Sequence, residues 1–401
     1  MGERGQAAWA YALALRQRFG PAVGLYVGLK VLGLLVFLKL LSYSGDYLER
    51  PTRFGGGARP IDVLGSWDGW WYERIARIGY HPVLIHLAGD PGRVKHNSTA
   101  FFPLYPALMR GVADVTPFGL FGAGMIVSVL ASVFAAAGIF AVVEQIGGTR
   151  AGILAAGLWA VAPGSGAEWA VYSDSVFIAL AAWSCYCVMT KRWWLAGALA
   201  LVAGLNRPTA VALIGAVGLA ALVALWRREG DWKGPVGAIV LAPIGLAGYV
   251  GWVGWRAGQW DAYVVLERGA WGHYFDWGTG TFHAMRGVAL ARYDYGPAHP
   301  VADLIGALVV IALPTLLVAL LVKRTPVVLV AYTLATLVLT LGSTGFFSNT
   351  SRYSLAAFPL LIPLALGLRN VRWPLLAVLL VTAALASGWY AGYAIFELGI
   401  P

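Results

Sequence analysis

The stretch from residue 66 to 80 reads SWDGWWYERIARIGY, and its composition sets it apart from the rest of the chain. It holds three tryptophans, two tyrosines, two acids and two arginines. Ser66 is of a type that often caps a helix N-terminus, and Asp68 then falls in the first turn, where the helix dipole favours a negative charge. Spacings of three and four align Trp67, Trp71, Arg74, Ile75 and Ile78 along one stripe. We therefore predict a helix that lies at the membrane interface, with its aromatic rings at headgroup level.

The chain on both sides of this stretch is strongly apolar. Of its 401 residues, 59% are hydrophobic and 12% are charged, whereas a soluble domain carries about 25% charged residues. Apolar runs recur along the whole sequence, with long polar interruptions at 43–117 and 257–301. The sequence therefore predicts an all-α polytopic membrane protein that forms one domain over residues 1–401. The net charge of +10 is then a guide to topology, and no nucleic-acid partner is expected.

Apolar length and the charged, glycine and proline breaks predict about eleven transmembrane helices. The predicted spans are 21–42, 118–145, 151–163, 174–190, 193–205, 208–226, 235–256, 302–322, 326–342, 353–368 and 373–396. The stretches 151–163 and 193–205 are short, which leaves open whether they are full, tilted, broken or re-entrant spans. The two long loops are expected to contain interfacial helices.

Basic residues in the short connections predict the orientation of the chain. With a cytoplasmic N-terminus, one side collects thirteen lysines and arginines, and the short loops opposite hold only Arg207 and Arg352. Cytoplasmic loops carry such an excess of positive charge, whereas long loops translocate largely regardless of charge. Both long loops are therefore predicted to be extracytoplasmic, and Arg207 and Arg352 are candidates for a functional role because the topology rule disfavours them there.

Asp68 is the first candidate for chemistry. It lies between Trp67 and Trp70, next to the membrane on the predicted outer side. A carboxylate that accepts a hydroxyl proton, flanked by apolar rings that cover sugar faces and exclude water, is typical of a sugar-binding catalytic pocket. The alternative is that Asp68 only stabilises a helix start and that the tryptophans form an aromatic belt.

Five segments together resemble the ordered motifs of a known family. WDGWWYERIARIGY, AFFPLYPALMR, VYSDSVFIAL, LNRPTAVAL and SRYSLAAFPLL are similar to those of the PIG-V mannosyltransferases, which are GT-C membrane glycosyltransferases of family 76. The resemblance runs from residue 66 to about 363. It implies a GT-C fold and inverting transfer of mannose from a polyprenyl-phosphate-mannose donor to a lipid-linked acceptor, on the extracytoplasmic face. It also implies that Asp68 is the catalytic base.

The remaining site assignments combine this resemblance with the chemistry of each residue. The candidates for binding the donor phosphate are Arg207, Arg352, Lys39 and Arg74, because a guanidinium can bind phosphate oxygens in a bidentate way. Lys30, near the centre of the first span, is left without a role. The candidates for binding sugar or acceptor are Trp67, Trp70, Trp71, Tyr72, Tyr172, Asp174, Tyr353 and His96. For the arginines the alternative is membrane anchoring, for Asp174 helix capping, and for His96 simple solvation.

Several further expectations concern partners and location. Richness in alanine, glycine and arginine looks bacterial, so we expect a monomer in the cytoplasmic membrane of a bacterium, in contact with membrane lipids and without the glycolipid-anchor precursor that eukaryotic family members use. No cluster of histidine, cysteine and acid has metal-ligand spacing, and no metal or other cofactor is expected. The alternatives are another polyprenyl-phosphate sugar, a protein acceptor, or a glycolipid transporter, which would place ionisable groups at mid-membrane within repeated halves.

Overall fold

The computed structural model describes residues 3–44, 59–296 and 298–396 of the chain. The part of the first long loop between 45 and 58 lies outside these residues. Nearly all regular structure in the described residues is helical, and one short hairpin interrupts it.

The described residues up to Trp226 contain eight α-helices, six in predicted spans and two in the first long loop. The helices are α1 (Glu3–Ser44), α2 (Asp68–Ile78), α3 (Leu104–Val115), α4 (Leu120–Gly147), α5 (Thr149–Ala160), α6 (Asp174–Met189), α7 (Trp193–Gly204) and α8 (Ala210–Trp226), of which α2 and α3 belong to the loop. The loop also holds an antiparallel hairpin of β1 (His86–Leu87) and β2 (Asp90–Val94), in which His86 lies opposite Val94. The loop therefore forms a folded cap beside the helices that flank it.

The second half contains the second long loop and five predicted spans. Its helices are α9 (Lys233–Leu241), α10 (Ile244–Ala257), α11 (Ala262–Leu266), α12 (Thr279–Ala289), α13 (Pro300–Val322), α14 (Val327–Gly342), α15 (Thr350–Tyr353), α16 (Leu361–Leu368) and α17 (Trp373–Ser387). The second loop holds α11 and α12, as predicted. A π-helical turn over Gly388–Ala394 continues α17.

Every predicted span contains helix, but the helices differ in length. In the described part of the chain, five helical stretches are long and apolar enough to cross a membrane: Leu13–Ser44, Leu120–Gly147, Lys233–Ala257, Pro300–Val322 and Trp373–Ala394. The segments Phe347–Ala356 and Phe358–Leu368 form a sixth span only as a pair bent by 81°, and Pro359, which has no N–H to donate, lies just after the bend. The chain is thus a multi-pass membrane protein. The count of eleven complete crossings stays a prediction, because α5, α6, α7, α8 and α14 are short.

Small residues let the helices pack closely. Helix α4 packs against α5 and α6, α1 packs against α5 and α17, and α8 packs against α14. The largest buried cluster is dominated by alanines from these helices. Without a hydrophobic driving force between helices in lipid, close backbone approach supplies much of the association energy. At Gly166 a Cβ atom would lie 1.7 Å from the carbonyl oxygen of Ala391, so only glycine fits that contact.

The sequence left Lys30 without a role, and the structure gives it one in packing. Its Nζ lies 3.0 Å from Oε2 of Glu168 and donates to the carbonyl oxygen of Ser165 at 2.5 Å. Tyr26 donates to the same carboxylate oxygen at 2.9 Å. The Lys30 ammonium also lies 4.4 Å from the ring centre of Trp169. The network ties α1 to the 165–169 segment, which leads into α6, and it satisfies a charge that lipid would otherwise disfavour.

Breaking this buried pair on one side should destabilise the protein. Lys30→Met leaves Glu168 buried without its cation, so we expect a loss of about 3–5 kcal/mol, whereas Lys30→Met combined with Glu168→Gln should recover part of it. Thermal unfolding in detergent measures both variants. Lys191→Met, which breaks the exposed pair with Glu229, is the matched control and should leave the midpoint unchanged. Equal midpoints for Lys30→Met and the control would show that the pair does not hold the 165–169 segment.

Candidate active site

Asp68 is the first residue of α2, but the helix does not begin as the sequence suggested. The N-cap is Trp67, with a φ of 56°, and not Ser66. The Ser66 hydroxyl donates instead to the carbonyl oxygen of Val63 at 2.5 Å, and Ser66 ends the short 3-10 helix Pro60–Gly65. A bulky residue at positive φ carries strain of about 1–3 kcal/mol, which the surrounding structure must offset. The strained turn places the Asp68 carboxylate next to residues from two distant segments.

Four charged side chains meet at this point. The Nη2 atom of Arg352 donates to Oδ2 of Asp68 at 2.7 Å and to Oδ2 of Asp174 at 2.8 Å. Arg207 forms an ion pair with the other oxygen of Asp174, Oδ1. Asp68, Asp174, Arg207 and Arg352 are called the charge cluster below. Its two acids and two arginines balance in formal charge, which lowers the cost of holding them away from water.

The four side chains differ in exposure, and this separates the two acids. The exposed fraction is 3% for Arg352 and 5% for Asp174, but 18% for Arg207 and 28% for Asp68. Both oxygens of Asp174 are held by arginines. Oδ1 of Asp68 accepts no hydrogen bond from the described part of the chain. Asp68 is therefore the acid of the cluster that has a lone pair available to an incoming group.

Each member of the charge cluster is positioned by its own element. Asp174 is the first residue of α6 and not its N-cap, and its two oxygens bond Arg352 and Arg207, so capping does not account for the acid. Arg207 lies in the turn between α7 and α8, and the neighbouring Asn206 donates to the Ser173 carbonyl oxygen at 2.9 Å. Arg352 lies in α15, within the first segment of the bent pair.

Close packing fixes the Arg352 side chain from two sides. Its guanidinium carbon lies 4.3 Å above the ring centre of Tyr172 and 5.9 Å from that of Tyr353. Gly164, with a φ of 84°, approaches the backbone of Arg352 so closely that a Cβ atom would lie 2.5 Å from its nitrogen. The guanidinium is thus held between an aromatic face and two carboxylates, and its direction is set by the backbone contact.

Two of the aromatic residues after Asp68 are packed inside the protein. Trp71 is buried, stacks on Phe101 with ring centres 5.5 Å apart, and meets Trp271 edge-on at 5.8 Å. Tyr72 is buried and donates to the Ser173 hydroxyl at 2.7 Å. Burial, and then the nearby charge of Asp68, raise the pKa of Tyr72 above its ordinary value, so its hydroxyl stays protonated. Both residues hold α2 in place, and the stripe expected from sequence is only partly buried because Arg74 and Ile78 are exposed.

The other candidate residues lie around the cluster or away from it. Trp67 and Trp70 are half-buried, and Arg74 is exposed with its guanidinium carbon 5.5 Å from the Trp70 ring centre. Lys39 is exposed on α1, and His96 is exposed with its ring 4.4 Å from that of Trp271. The structure therefore brings together Asp68, Asp174, Arg207, Arg352, Tyr172 and Tyr353. Among the described residues, neither Lys39 nor Arg74 forms a hydrogen bond or ion pair with the charge cluster.

A cavity of about 870 Å³ opens beside the charge cluster. One part of its wall is formed by Asp174, Arg207, Arg352 and Tyr353. Asp68 does not line the cavity, but it accepts a hydrogen bond from Arg352, which does. Apolar residues form much of the remaining wall, namely Phe177, Ile178, Val211, Leu339, Phe347 and Ala356. The wall thus combines charged and polar residues with an apolar surface, which suits a ligand with a polar head and a lipid tail.

The second long loop supplies residues that the sequence did not single out. Glu267, His273 and Tyr263 line the same cavity. The sequence predicted only interfacial helices in this loop, and no spacing rule marks these positions. The two loops also touch: at Gly269 a Cβ atom would lie 2.6 Å from the carbonyl oxygen of Gly92. Among the described residues, no three histidine, cysteine or acidic side chains group as metal ligands.

Solved structures with the same arrangement of helices identify the fold. ArnT from Cupriavidus metallidurans bound to undecaprenyl phosphate matches with a TM-score of 0.52 and 13% identity, over 94% of this chain and 75% of that one. The archaeal oligosaccharyltransferase AglB from Archaeoglobus fulgidus, in complex with an inhibitory peptide and a dolichol-phosphate, matches with a TM-score of 0.50 and 13% identity, over 94% of this chain and 56% of that one. This chain thus spans little more than half the length of the archaeal protein.

These likenesses show that the chain has the GT-C glycosyltransferase fold, as the sequence predicted. No protein-family profile matches the sequence, and no curated protein matches it either. The narrower assignment to the PIG-V family stays a prediction.

Removing the shared cation should destabilise the site. Arg352→Gln leaves two carboxylates close together, with only Arg207 to balance them, so we expect a loss of about 3–5 kcal/mol in the free energy of unfolding. Adding Asp174→Asn should recover part of that loss because it removes the repulsion. Thermal or denaturant unfolding in detergent is the measurement. Arg74→Gln is the control, because it removes an exposed cation from the same helix, beside the Trp70 ring. It should change the free energy of unfolding little. An Arg352→Gln protein as stable as the wild type would contradict the arrangement.

Proposed function

We propose that the protein is an inverting glycosyltransferase that moves a sugar from a polyprenyl-phosphate carrier to a lipid-linked acceptor. The observation that carries this proposal is the charge cluster, which sets the partly exposed carboxylate of Asp68 beside arginines that line an amphiphilic cavity, within a GT-C fold. The motif resemblance to PIG-V enzymes supports mannose as the sugar. The distribution of basic residues supports an extracytoplasmic site.

Asp68 is the catalytic base in this proposal. A base must offer a lone pair to the acceptor hydroxyl, and Asp68 Oδ1 is unoccupied by described residues whereas both oxygens of Asp174 are held. The hydrogen bond from Arg352 to Oδ2 fixes the direction of the Asp68 carboxylate and leaves Oδ1 to face an acceptor hydroxyl.

Arg207 binds the carrier phosphate, and Arg352 acts mainly as a positioning residue. Arg207 is the more exposed of the two, and it lines the cavity with one nitrogen committed to Asp174. The Nη2 atom of Arg352 is already shared between two acids, and its side chain is almost fully buried. Arg352 therefore aligns the two carboxylates, while Arg207 has the donors left for a ligand.

The reaction is a single displacement at the anomeric carbon. The acceptor hydroxyl oxygen forms a bond to that carbon from the face opposite the phosphate. The bond to the phosphate oxygen breaks, and its electron pair leaves with the polyprenyl phosphate. The hydroxyl proton passes to Asp68 Oδ1. Charge that develops on the departing phosphate is stabilised by nearby cations and hydrogen-bond donors, so no strong acid is required.

The cavity supports a lipid-linked donor. Its charged end accepts a phosphate, and its apolar wall accepts the first isoprenoid carbons. The solved structures of ArnT and AglB hold undecaprenyl phosphate and a dolichol-phosphate, respectively, and a similar carrier is proposed here by analogy of fold. The acceptor is proposed to be a lipid. A different carrier-linked sugar or a protein acceptor would use the same base and the same phosphate contact.

Asp68→Asn should abolish most of the transfer. The amide keeps the size of the side chain but cannot take a proton, so we expect the rate to fall by roughly 10²–10⁴-fold. The assay uses membranes that contain the protein, radiolabelled polyprenyl-phosphate mannose and a lipid extract, with label in the product lipid as the readout.

The matched control for this assay is Glu73→Gln, which removes an acid from the same helix and breaks only the exposed pair with Arg77. It should transfer label at the wild-type rate. Transfer by Asp68→Asn at that same rate would remove the base assignment. If the wild type consumes no carrier with any acceptor fraction, the enzyme proposal fails as a whole.

A further inference from the structure

A histidine and a glutamate from the second long loop form a pair on the cavity wall. The Nδ1 atom of His273 lies 3.2 Å from Oε2 of Glu267, and the His273 backbone N–H donates to the Glu267 carbonyl oxygen at 2.9 Å. Both residues line the same cavity as Arg207 and Arg352. The mechanism above does not use them.

The loop holds this pair in a fixed position. Residues Glu267–Trp271 form a single π-helical turn, and Gly272 follows in the left-handed region with a φ of 69°. Tyr274 N–H then donates to the Thr344 hydroxyl at 2.9 Å, and Asp276 N–H donates to the Gly342 carbonyl oxygen at 2.9 Å. The residues that follow His273 are thus hydrogen-bonded to the end of α14 and to the residues just after it. The π-helical turn before His273 and these hydrogen bonds after it fix the backbone position of the histidine.

The charge of the cavity explains what such a pair can do. The charged residues in the cavity wall are Arg207 and Arg352, which are positive, and Asp174 and Glu267, which are negative, so the formal charges cancel. Asp68, one contact away, adds a further negative charge. A carrier phosphate that enters this cavity brings its own negative charge. It needs a cation beyond the two arginines, because both are already paired with acids.

We propose that His273, oriented by Glu267, binds the phosphate of the carrier lipid together with Arg207. The form of the ring that binds the anion carries a proton on both nitrogens, so that Nδ1–H is directed to Glu267 and Nε2–H is the donor left for a phosphate oxygen. The proposal rests on the proposed function, since it names a second phosphate-binding group for that same cavity. The contact gains strength as the carbon–oxygen bond breaks, because the released polyprenyl phosphate carries more negative charge than the donor diester.

The test measures binding of the carrier without the sugar. Purified protein in detergent or nanodiscs is titrated with undecaprenyl phosphate and, separately, with undecaprenol, which has the same tail but no phosphate. His273→Ala should weaken undecaprenyl phosphate binding by about 10–100-fold, as expected for loss of a charge-assisted hydrogen bond. Binding of undecaprenol should stay unchanged. His273→Arg, which keeps a cation, should remain within about threefold of the wild type, and Glu267→Gln should lose about 3–10-fold.

His283→Ala is the matched control, because His283 lines the same cavity without a carboxylate partner among the described residues. It should bind both lipids as the wild type does. The proposal is overturned if His273→Ala binds undecaprenyl phosphate at the wild-type affinity, if it loses the phosphate and the alcohol to the same extent, or if His283→Ala loses as much. His273→Gln replaces His273→Ala if the alanine variant does not fold.

The same titration separates this proposal from the proposed function. A wild-type protein that transfers label, with a His273→Ala variant that binds the carrier normally, refutes only the role of His273. A wild-type protein that binds undecaprenyl phosphate through His273 but transfers no sugar to any acceptor refutes the enzyme assignment and leaves the phosphate site standing.

Discussion

The structure depends on one nitrogen atom, Nη2 of Arg352, which is shared by the carboxylates of Asp68 and Asp174. These residues come from the first long loop, the start of α6 and the bent segment before α16. The shared donor therefore joins three segments that are far apart in sequence. Because Arg352 and Asp174 are almost fully buried, losing any partner would leave an uncompensated charge. Fold and site are coupled through this contact.

The two acids of the charge cluster differ in how many of their oxygens are bonded to arginines. Asp174 is saturated by two arginines and serves to balance their charge, whereas Asp68 keeps one oxygen for a ligand. The buried Lys30–Glu168 pair holds the 165–169 segment, and Tyr172, which follows that segment, supports the guanidinium of Arg352. The two ion-pair networks are thus connected through the backbone between Glu168 and Asp174. The second long loop lines part of the cavity and contributes the His273–Glu267 pair.

Sequence reasoning predicted the helical class, the location of each apolar helix and the residues of the charge cluster, because each of these has a local signal. A long apolar stretch indicates a span, and an arginine in a short loop on the membrane side where basic residues are rare indicates a special role. The prediction that Ser66 caps helix α2 was wrong, because the Ser66 hydroxyl donates to the carbonyl oxygen of Val63. That hydrogen bond depends on the 3-10 helix that precedes Ser66. The partner of Lys30, and the pairing of His273 with Glu267 on a cavity wall, depend on tertiary contacts that no spacing rule contains.

The most direct test of the central claim is an experimental structure of the protein with a polyprenyl-phosphate sugar bound to the Asp68→Asn variant. We expect the phosphate to lie within hydrogen-bond distance of Arg207 and the isoprenoid to follow the apolar wall of the cavity. The anomeric carbon should face the side chain at position 68. A carrier phosphate bound away from Arg207, or an anomeric carbon on the far side of the cavity from position 68, would contradict it.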